Sequence, residues 1–159
     1  MVLRLERMTR ATASALLQGE RPPDIATAED YPTEFSLGVA MQFSEGGDLG
    51  PYVIYSPTQA VVVGEIGGAF TDKGTVEIGY AIVESHWGRG IATEAVRELL
   101  RLIVQRSDVR RVLAHTPLDR PESARVVEKA GFVFVREMED VHEGEVLRVK
   151  EWEFAITAS

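Results

Sequence analysis

Residues 77–95 run Glu77-Ile78-Gly79-Tyr80-Ala81-Ile82-Val83, two polar residues, then His86-Trp87-Gly88-Arg89-Gly90-Ile91-Ala92-Thr93-Glu94-Ala95. The first part has the composition of a largely buried strand and the last part opens a helix. Between them lies a glycine pair. The first N–H groups of a helix lack intrahelical partners, and the helix dipole places about half a positive charge there. Glycines let those amides approach phosphate oxygens without a Cβ in the way. Arg89 adds a fixed positive charge. The stretch therefore reads as an anion site at a strand-to-helix junction. It is not a P-loop, because no Lys followed by Ser or Thr comes after the last glycine. It is not a dinucleotide fingerprint either, because the third glycine and the following parallel strand with an acidic end are missing.

Outward from this junction the chain reads as mixed α/β. Tyr52–Tyr55, 60–70 and 75–83 form strands, the last two joined by a turn at Thr71-Asp72-Lys73-Gly74. Residues 91–106 form an amphipathic helix with Ile91, Ala95, Val96, Leu99, Leu100 and Ile103 on one face. Arg111–His115 reads as a strand, and Pro121–Ala130 as a helix closed by Gly131. A last hairpin pairs 132–141 with 146–156 around His142-Glu143-Gly144-Glu145, and a change of apolar phase predicts a bulge near Lys150 and Glu151. At the start, residues 2–6 read as a strand and Thr9–Gln18 as a helix capped at Thr9 or Thr12. Residues 19–50 are irregular, with one short helix between Phe35 and Phe43 and a turn over 44–50. Nothing splits the chain, so 1–159 reads as a single domain.

The composition narrows the partners. A net charge of −8 disfavours nucleic acid, whose phosphates are bound by Lys and Arg, and mildly favours a cationic acceptor. There is no cysteine, which removes disulfides, thiolate metal ligands and a thiol nucleophile. No apolar run approaches the roughly 20 residues that cross a bilayer, and the charged start, Arg4-Leu5-Glu6-Arg7, is unlike a secretory signal. A cytoplasmic protein with no membrane partner is the expectation. Three scattered histidines make no metal site.

The two blocks 77–95 and Ser123-Ala124-Arg125-Val126-Val127-Glu128-Lys129-Ala130-Gly131-Phe132 resemble the core motifs of the GNAT superfamily of N-acetyltransferases. They are most similar to the branch that includes the ribosomal-protein N-terminal acetyltransferases. The resemblance covers about residues 60–135. It implies an α/β (α+β) GNAT fold, a mixed but mostly antiparallel sheet splayed between the strands at 75–83 and 111–115. It also implies acetyl-coenzyme A as cosubstrate. The pantetheine arm would pair with the backbone near Ile82 and Val83, and the pyrophosphate would rest on Gly88, Arg89, Gly90, Ile91, Ala92 and Thr93. The acceptor would be an amine of a small molecule, peptide or protein. Two positions depart from the family pattern: Arg120 stands where Asn often contacts the cofactor arm, and Val127 where many members carry a tyrosine acid. Ser123 is the substitute candidate for that acid.

Acyl transfer needs a neutral amine. At pH 7 a lysine-like amine is about 0.04% neutral and an α-amine about 14%. A general base therefore matters most for a strongly basic acceptor. Glu77 is the first candidate, directly or through a water, and Glu65 the second. His115, at the end of its strand, is a candidate for binding the acceptor or relaying a proton. Trp87 is expected to pack under the loop, and Tyr80 to line the acceptor pocket or fill the core. Glu137, Glu139 and Asp140 either attract a cationic acceptor or form a solvated hairpin surface. The irregular segment 19–50 is expected on the acceptor side, and the exposed hairpin leaves a homodimer open. The rival reading is a non-catalytic acyl-coenzyme A-binding module for sensing or interaction. A longer acyl donor is a further alternative.

Overall fold

A computed structural model describes residues 3–44, 47, 49–142 and 144–156, with only the backbone of 142. Val2 of the expected first strand, Glu45, Gly46 and Asp48 of the expected turn, and Glu143 of the hairpin tip lie outside the described residues. Seven strands make one sheet: β1 (Arg4–Arg7), β2 (Tyr52–Ser56), β3 (Val61–Asp72), β4 (Thr75–Ile82), β5 (Arg111–Pro117), β6 (Val133–His142) and β7 (Glu145–Ala155). Their spatial order is β1-β2-β3-β4-β5-β7-β6. Every neighbouring pair is antiparallel except β4 and β5. The four helices are α1 (Arg10–Leu17), α2 (Ser36–Ala40), α3 (Ile91–Ile103) and α4 (Pro121–Lys129).

The helix ends follow local chemistry. Thr9 caps α1, its hydroxyl accepting the Thr12 N–H at 3.1 Å. α3 stops three residues short of the expected 106. Ile103 is its last buried apolar residue, and beyond it Arg106 turns back onto Asp108. α4 closes as a Schellman motif. Phe132 N–H reaches the Val127 carbonyl, Gly131 N–H reaches that of Glu128, and Gly131 takes a φ of 105° that a side chain would strain. The phase change expected to bulge β7 has a different origin. β7 pairs with β5 in unbroken register from Arg111↔Ala155 to Pro117↔Val149. Leu147, Val149 and Glu151 simply face one side of the sheet and Trp152 and Phe154 the other. The irregularity lies on β6, where Val135 is the extra residue between Phe134 and Arg136, opposite Trp152 and Glu151.

Two features of the sheet position the site. The parallel pairing of β4 with β5 runs only from Thr75↔Arg111 to Ile78↔Ala114, while β4 continues to Ile82 and β5 to Pro117. The strands therefore part beyond Ile78, as the resemblance implies. The second feature is that residues directly opposite across a ladder share a face. Glu65 pairs with Ala81, Glu77 with Leu113, and His115 with Glu151, all on the face covered by α2. Val76, Ile78, Val112 and Ala114 occupy the other face, fully or almost fully buried in the core with Val96 and Leu99 of α3.

Candidate functional site

At the open end of the β4–β5 gap the chain turns into α3. Gly88 and Gly90 take φ values of 75° and 78°, a region open to glycine and strained for other residues. Gly90 is the residue before the helix and offers no side-chain cap. The first intrahelical bond runs from Glu94 N–H to the Gly90 carbonyl, so the amides of Ile91, Ala92 and Thr93 precede the ladder. Arg89 is exposed beside them. This is the arrangement expected for a phosphate group.

The loop before it is fastened at several points. Trp87, expected under the loop, is instead half-exposed, and its indole N–H donates to the Ile82 carbonyl at 2.7 Å. Val83 has both backbone groups committed: its N–H donates to Val63 and its carbonyl accepts from His86. By the alternation of an antiparallel ladder, Tyr80 and Ile82 direct their backbone groups away from β3, toward the gap. The edge available to an incoming extended chain is therefore that of Tyr80 and the Ile82 N–H, and Val83 offers none. His86 proves to be buried. Its ring nitrogens meet Ser85 Oγ at 2.9 Å and the side-chain oxygen of Gln59, and Asp30 accepts from Ser85 Oγ and Ser85 N–H. Those bonds, led by the Ser85 N–H, hold the Asp30 carboxyl below its usual range. Sequence reading left His86 without a role, because Gln59 lies 27 positions away and Asp30, which holds Ser85, lies 55 positions from it.

On the α2 face two of the candidate catalytic residues meet. His115 Nδ1 lies 2.7 Å from Glu77 Oε1, and His115 Nε2 lies 2.9 Å from Glu151 Oε2. Arg136 donates to the other Glu151 oxygen at 3.2 Å. Ionised carboxylates only accept, so both ring nitrogens carry protons and the imidazole is a cation. The Glu77 hydrogen bond, opposed by partial burial and assisted by Glu151, pushes the His115 pKa up to about 9. Burial pulls Glu151 the other way, but the bonds from His115 and Arg136 hold its carboxyl below the usual range. Glu151 was not among the candidates. Only the register of β7 on β5 brings it to His115.

Asp140 joins this network from β6. One ligand atom each from Glu77, His115 and Asp140 all lie within 4.8 Å of one another, the one such group among the described residues with the make-up of metal ligands. Glu137 and Glu139 do not join it, since both lie beside Arg148 on the opposite face of the hairpin.

Ser123 stands apart from Glu77 and His115. It lies in the first turn of α4, where its carbonyl accepts the Tyr80 hydroxyl at 3.2 Å. Tyr80 projects to the face opposite Glu77, so its hydroxyl and the start of α4 lie on the other side of the sheet. Arg120 bridges to Glu34 and lies over the Phe35 ring, and Val127 is sealed in the core. Glu65 is fully buried. Ser36 Oγ donates to its Oε1, while its Oε2 and the buried Tyr31 hydroxyl have no hydrogen-bond partner. Burial pushes the Glu65 carboxyl upward.

Comparison with known proteins agrees with this geometry. A family model described as an acetyltransferase (GNAT) domain matches residues 3–133. The ribosomal-protein-serine acetyltransferase of Escherichia coli is 37% identical over 59 residues, 37% of this chain and 33% of that protein. The uncharacterized N-acetyltransferase YjdG of Bacillus subtilis is 31% identical over 84 residues, 52% of this chain and 50% of that protein. The matched stretches thus span between a third and a half of these relatives. Among solved structures, an acetyltransferase (GNAT family) from Bacillus anthracis superposes with a TM-score of 0.71 at 15% identity, covering 98% of this chain and 95% of that one. Spermidine N-acetyltransferase from Vibrio cholerae in complex with CoA and spermine gives 0.69 at 15% identity, over 97% and 95%. These structures share the fold.

Proposed function

The chain belongs to the acetyltransferase (GNAT) domain family, and from that premise we propose that it transfers an acetyl group from acetyl-coenzyme A to a primary amine by direct attack. The observation that carries the reading is the parting of β4 from β5 beyond Ile78, beside uncapped amides at the start of α3. The amides of Ile91, Ala92 and Thr93, with Gly88, Gly90 and Arg89, hold the pyrophosphate. The Ile82 N–H and the Tyr80 backbone receive the extended arm. Val83 serves only by anchoring the loop to β3.

In the reaction the amine nitrogen forms a bond to the thioester carbonyl carbon, the carbon–sulfur bond breaks, and one proton leaves the nitrogen. Glu77 is the base for that proton. His115 is not, because its imidazole is already protonated at neutral pH. Its positive charge orients Glu77 and stabilises negative charge nearby. Ser123 is the substitute candidate for the acid that protonates the departing thiolate; it lies at the start of α4, where its carbonyl accepts the Tyr80 hydroxyl. No covalent enzyme intermediate is needed.

Two measurements test this. Acetyl-coenzyme A should raise the melting temperature, and an amine should release free coenzyme A thiol in proportion to its acetylation. Absence of stabilisation at saturating cofactor removes the reading. Stabilisation without turnover over a broad amine panel replaces it with a sensing module.

A further inference from the structure

We propose that β6 is the seam of a homodimer. A second copy of this chain lays its own β6 antiparallel alongside, with Met138 on the two-fold axis and Arg136 of each copy paired with the partner's Asp140. The inference stands apart from the acetyl-transfer reading, since it uses only the edge of the sheet.

The two edges of the sheet differ. β1, at one end, has four residues, three of them charged. Short, charged edges resist pairing with another chain. β6, at the other end, runs ten residues from Val133 to His142 and is bonded to β7 on one side only. Among the described residues no other backbone group bonds to it. Alternate residues of such an edge direct their N–H and C=O outward, so β6 offers a ladder to a further strand. The bulge at Val135 bounds the regular stretch, leaving residues 136–141 as the part that pairs. Its two ends are apolar and open: Val135 is 47% exposed and Val141 68%.

Charge order selects the occupant. The stretch reads Arg136-Glu137-Met138-Glu139-Asp140-Val141. Across a two-fold antiparallel ladder, positions equally far on either side of the axis meet on one face. With the axis at Met138, Arg136 meets the partner's Asp140, and symmetry repeats the pair. Arg136 bonds Glu151 through Nε, and no bond from its terminal nitrogens is made to the described residues. Asp140, half-buried, has no hydrogen-bond or ion-pair partner among them. On the other face Glu137 meets the partner's Glu139. Their charges are offset within each copy, where Arg148 lies 3.5 Å from Glu137 and 3.8 Å from Glu139, and Lys150 stands opposite Glu137. The ends of the ladder bring Val135 beside the partner's Val141. Moving the axis by one residue sets Glu137 or Glu139 against its own copy and leaves Asp140 opposite Phe134 or Met138. An unrelated extended segment would need this charge order by coincidence, whereas a second copy carries it by identity.

The chain has no cysteine, so single introduced cysteines report the seam cleanly. Opposite residues of an antiparallel ladder lie about 4.5–5.5 Å apart at Cα, within disulfide range, while diagonal neighbours lie about 7–8 Å apart. Only the residue on the axis meets its own copy. Met138→Cys, treated with diamide, should therefore run as a linked dimer on a denaturing gel, and Glu137→Cys and Glu139→Cys should stay mostly single chains. Sedimentation equilibrium of the unaltered protein should give the mass of two chains. Arg136→Asp and Asp140→Arg should each weaken the dimer about tenfold or more, because each sets two like-charge pairs on the seam. The double variant restores opposite signs and should recover the dimer to within a few-fold, with thermal melts showing that all three remain folded. A single-chain mass for the unaltered protein at every concentration up to about 100 μM overturns the proposal without any variant. A dimer that links at another position, or that survives both single reversals, places the seam elsewhere and overturns it too. So does loss of the dimer in both single variants without recovery in the double.

Discussion

Glu65 and Glu77 project from the same face of one sheet, from neighbouring strands, yet their surroundings drive them to opposite states. Glu65 lies under α2, with no exposed surface, one hydroxyl donor and one oxygen without a partner. Water is excluded there and no cation is supplied, so the neutral acid is favoured. Glu77 lies beyond the cover of α2, its side chain 38% exposed, bonded to a doubly protonated imidazole. The same functional group is thus a buried acid in one place and an open, cation-paired carboxylate in the other. Only the second stands on β4 one residue before its pairing with β5 ends, and only the second has exposed surface from which to exchange a proton without opening the fold.

The most severe way to break this comparison is to neutralise each carboxylate. Glu77→Gln should lower kcat by about two to four orders of magnitude, the usual contribution of a positioned base. Glu65→Gln alters a buried group whose surroundings favour its neutral form and which has no exposed surface, so kcat should stay within a few-fold of the wild type. Steady-state kinetics at saturating acetyl-coenzyme A decide it. Equal losses in the two variants would mean that Glu65 is opened during turnover and that the assignment of the base is wrong.

A second effect sharpens the contrast through pH. The His115 pKa rises from 6.5 to about 9 in the folded state. A raised histidine pKa means that the folded protein binds the proton more tightly, so the stabilisation is complete below about 6.5 and disappears as the pH rises through about 9. Its full size is about 3 kcal/mol, from about 1.4 kcal/mol per unit. Unfolding free energies of wild type and His115→Gln should therefore converge between about pH 6.5 and 9. A wild-type curve with no pH dependence in that window would show that Glu77 and Glu151 do not hold a proton on the ring.

These two regions differ just as much in how far the chain itself announces them. The fold and the phosphate end of the site are local. Gly88 and Gly90 directly precede the apolar face of α3, which repeats at helical spacing, so periodicity finds them. Glu77 and His115 were also legible, as polar residues on strands beside the gap. Glu151, Arg136 and Asp140 were not, because Glu151 reaches His115, 36 positions away, only through the pairing of β7 with β5, and Arg136, 15 positions from Glu151, only through the β6–β7 register. The same cause misplaced the bulge. An apolar phase change in β7 arises equally from a slip or from a strand buried on both faces, and only the ladder tells them apart. The Tyr31–Ser36–Glu65 cluster was hidden for another reason, since it is built partly from the irregular segment that carries no period at all.

A smaller effect comes from the closed region. Ser36 Oγ is the donor to Glu65, and Ser36→Ala would leave that oxygen without a partner in a dry site. The expected cost is about 1–3 kcal/mol in urea unfolding. A buried acid with a raised pKa gives the same direction of pH dependence as His115, starting from a lower pH. The folded state binds the proton more tightly, so stability falls as the pH climbs past the ordinary carboxylate range. Removing the Ser36 hydrogen bond takes away a group that favours the carboxylate. The fall should therefore extend to higher pH in Ser36→Ala, and Glu65→Gln should remove it. A flat pH profile in all three proteins would mean that water enters beneath α2 in solution.

The smallest effect tests the rim of the open region. Arg136 bonds to Glu151 at 3.2 Å, but its side chain is 61% exposed while that of Glu151 is 11% exposed. An exposed guanidinium is largely screened, so Arg136→Gln should cost only about 0.2–1 kcal/mol, and less in high salt. The His115 titration should move little, because the first cause of its raised pKa is Glu77, not the Glu151 side of the ring. Measured together, these two readouts separate alternatives that either one alone would confuse. A small stability loss with a large fall in the His115 pKa would place control of the imidazolium at Glu151. The hairpin, and not the β4 carboxylate, would then set the charge of the open site.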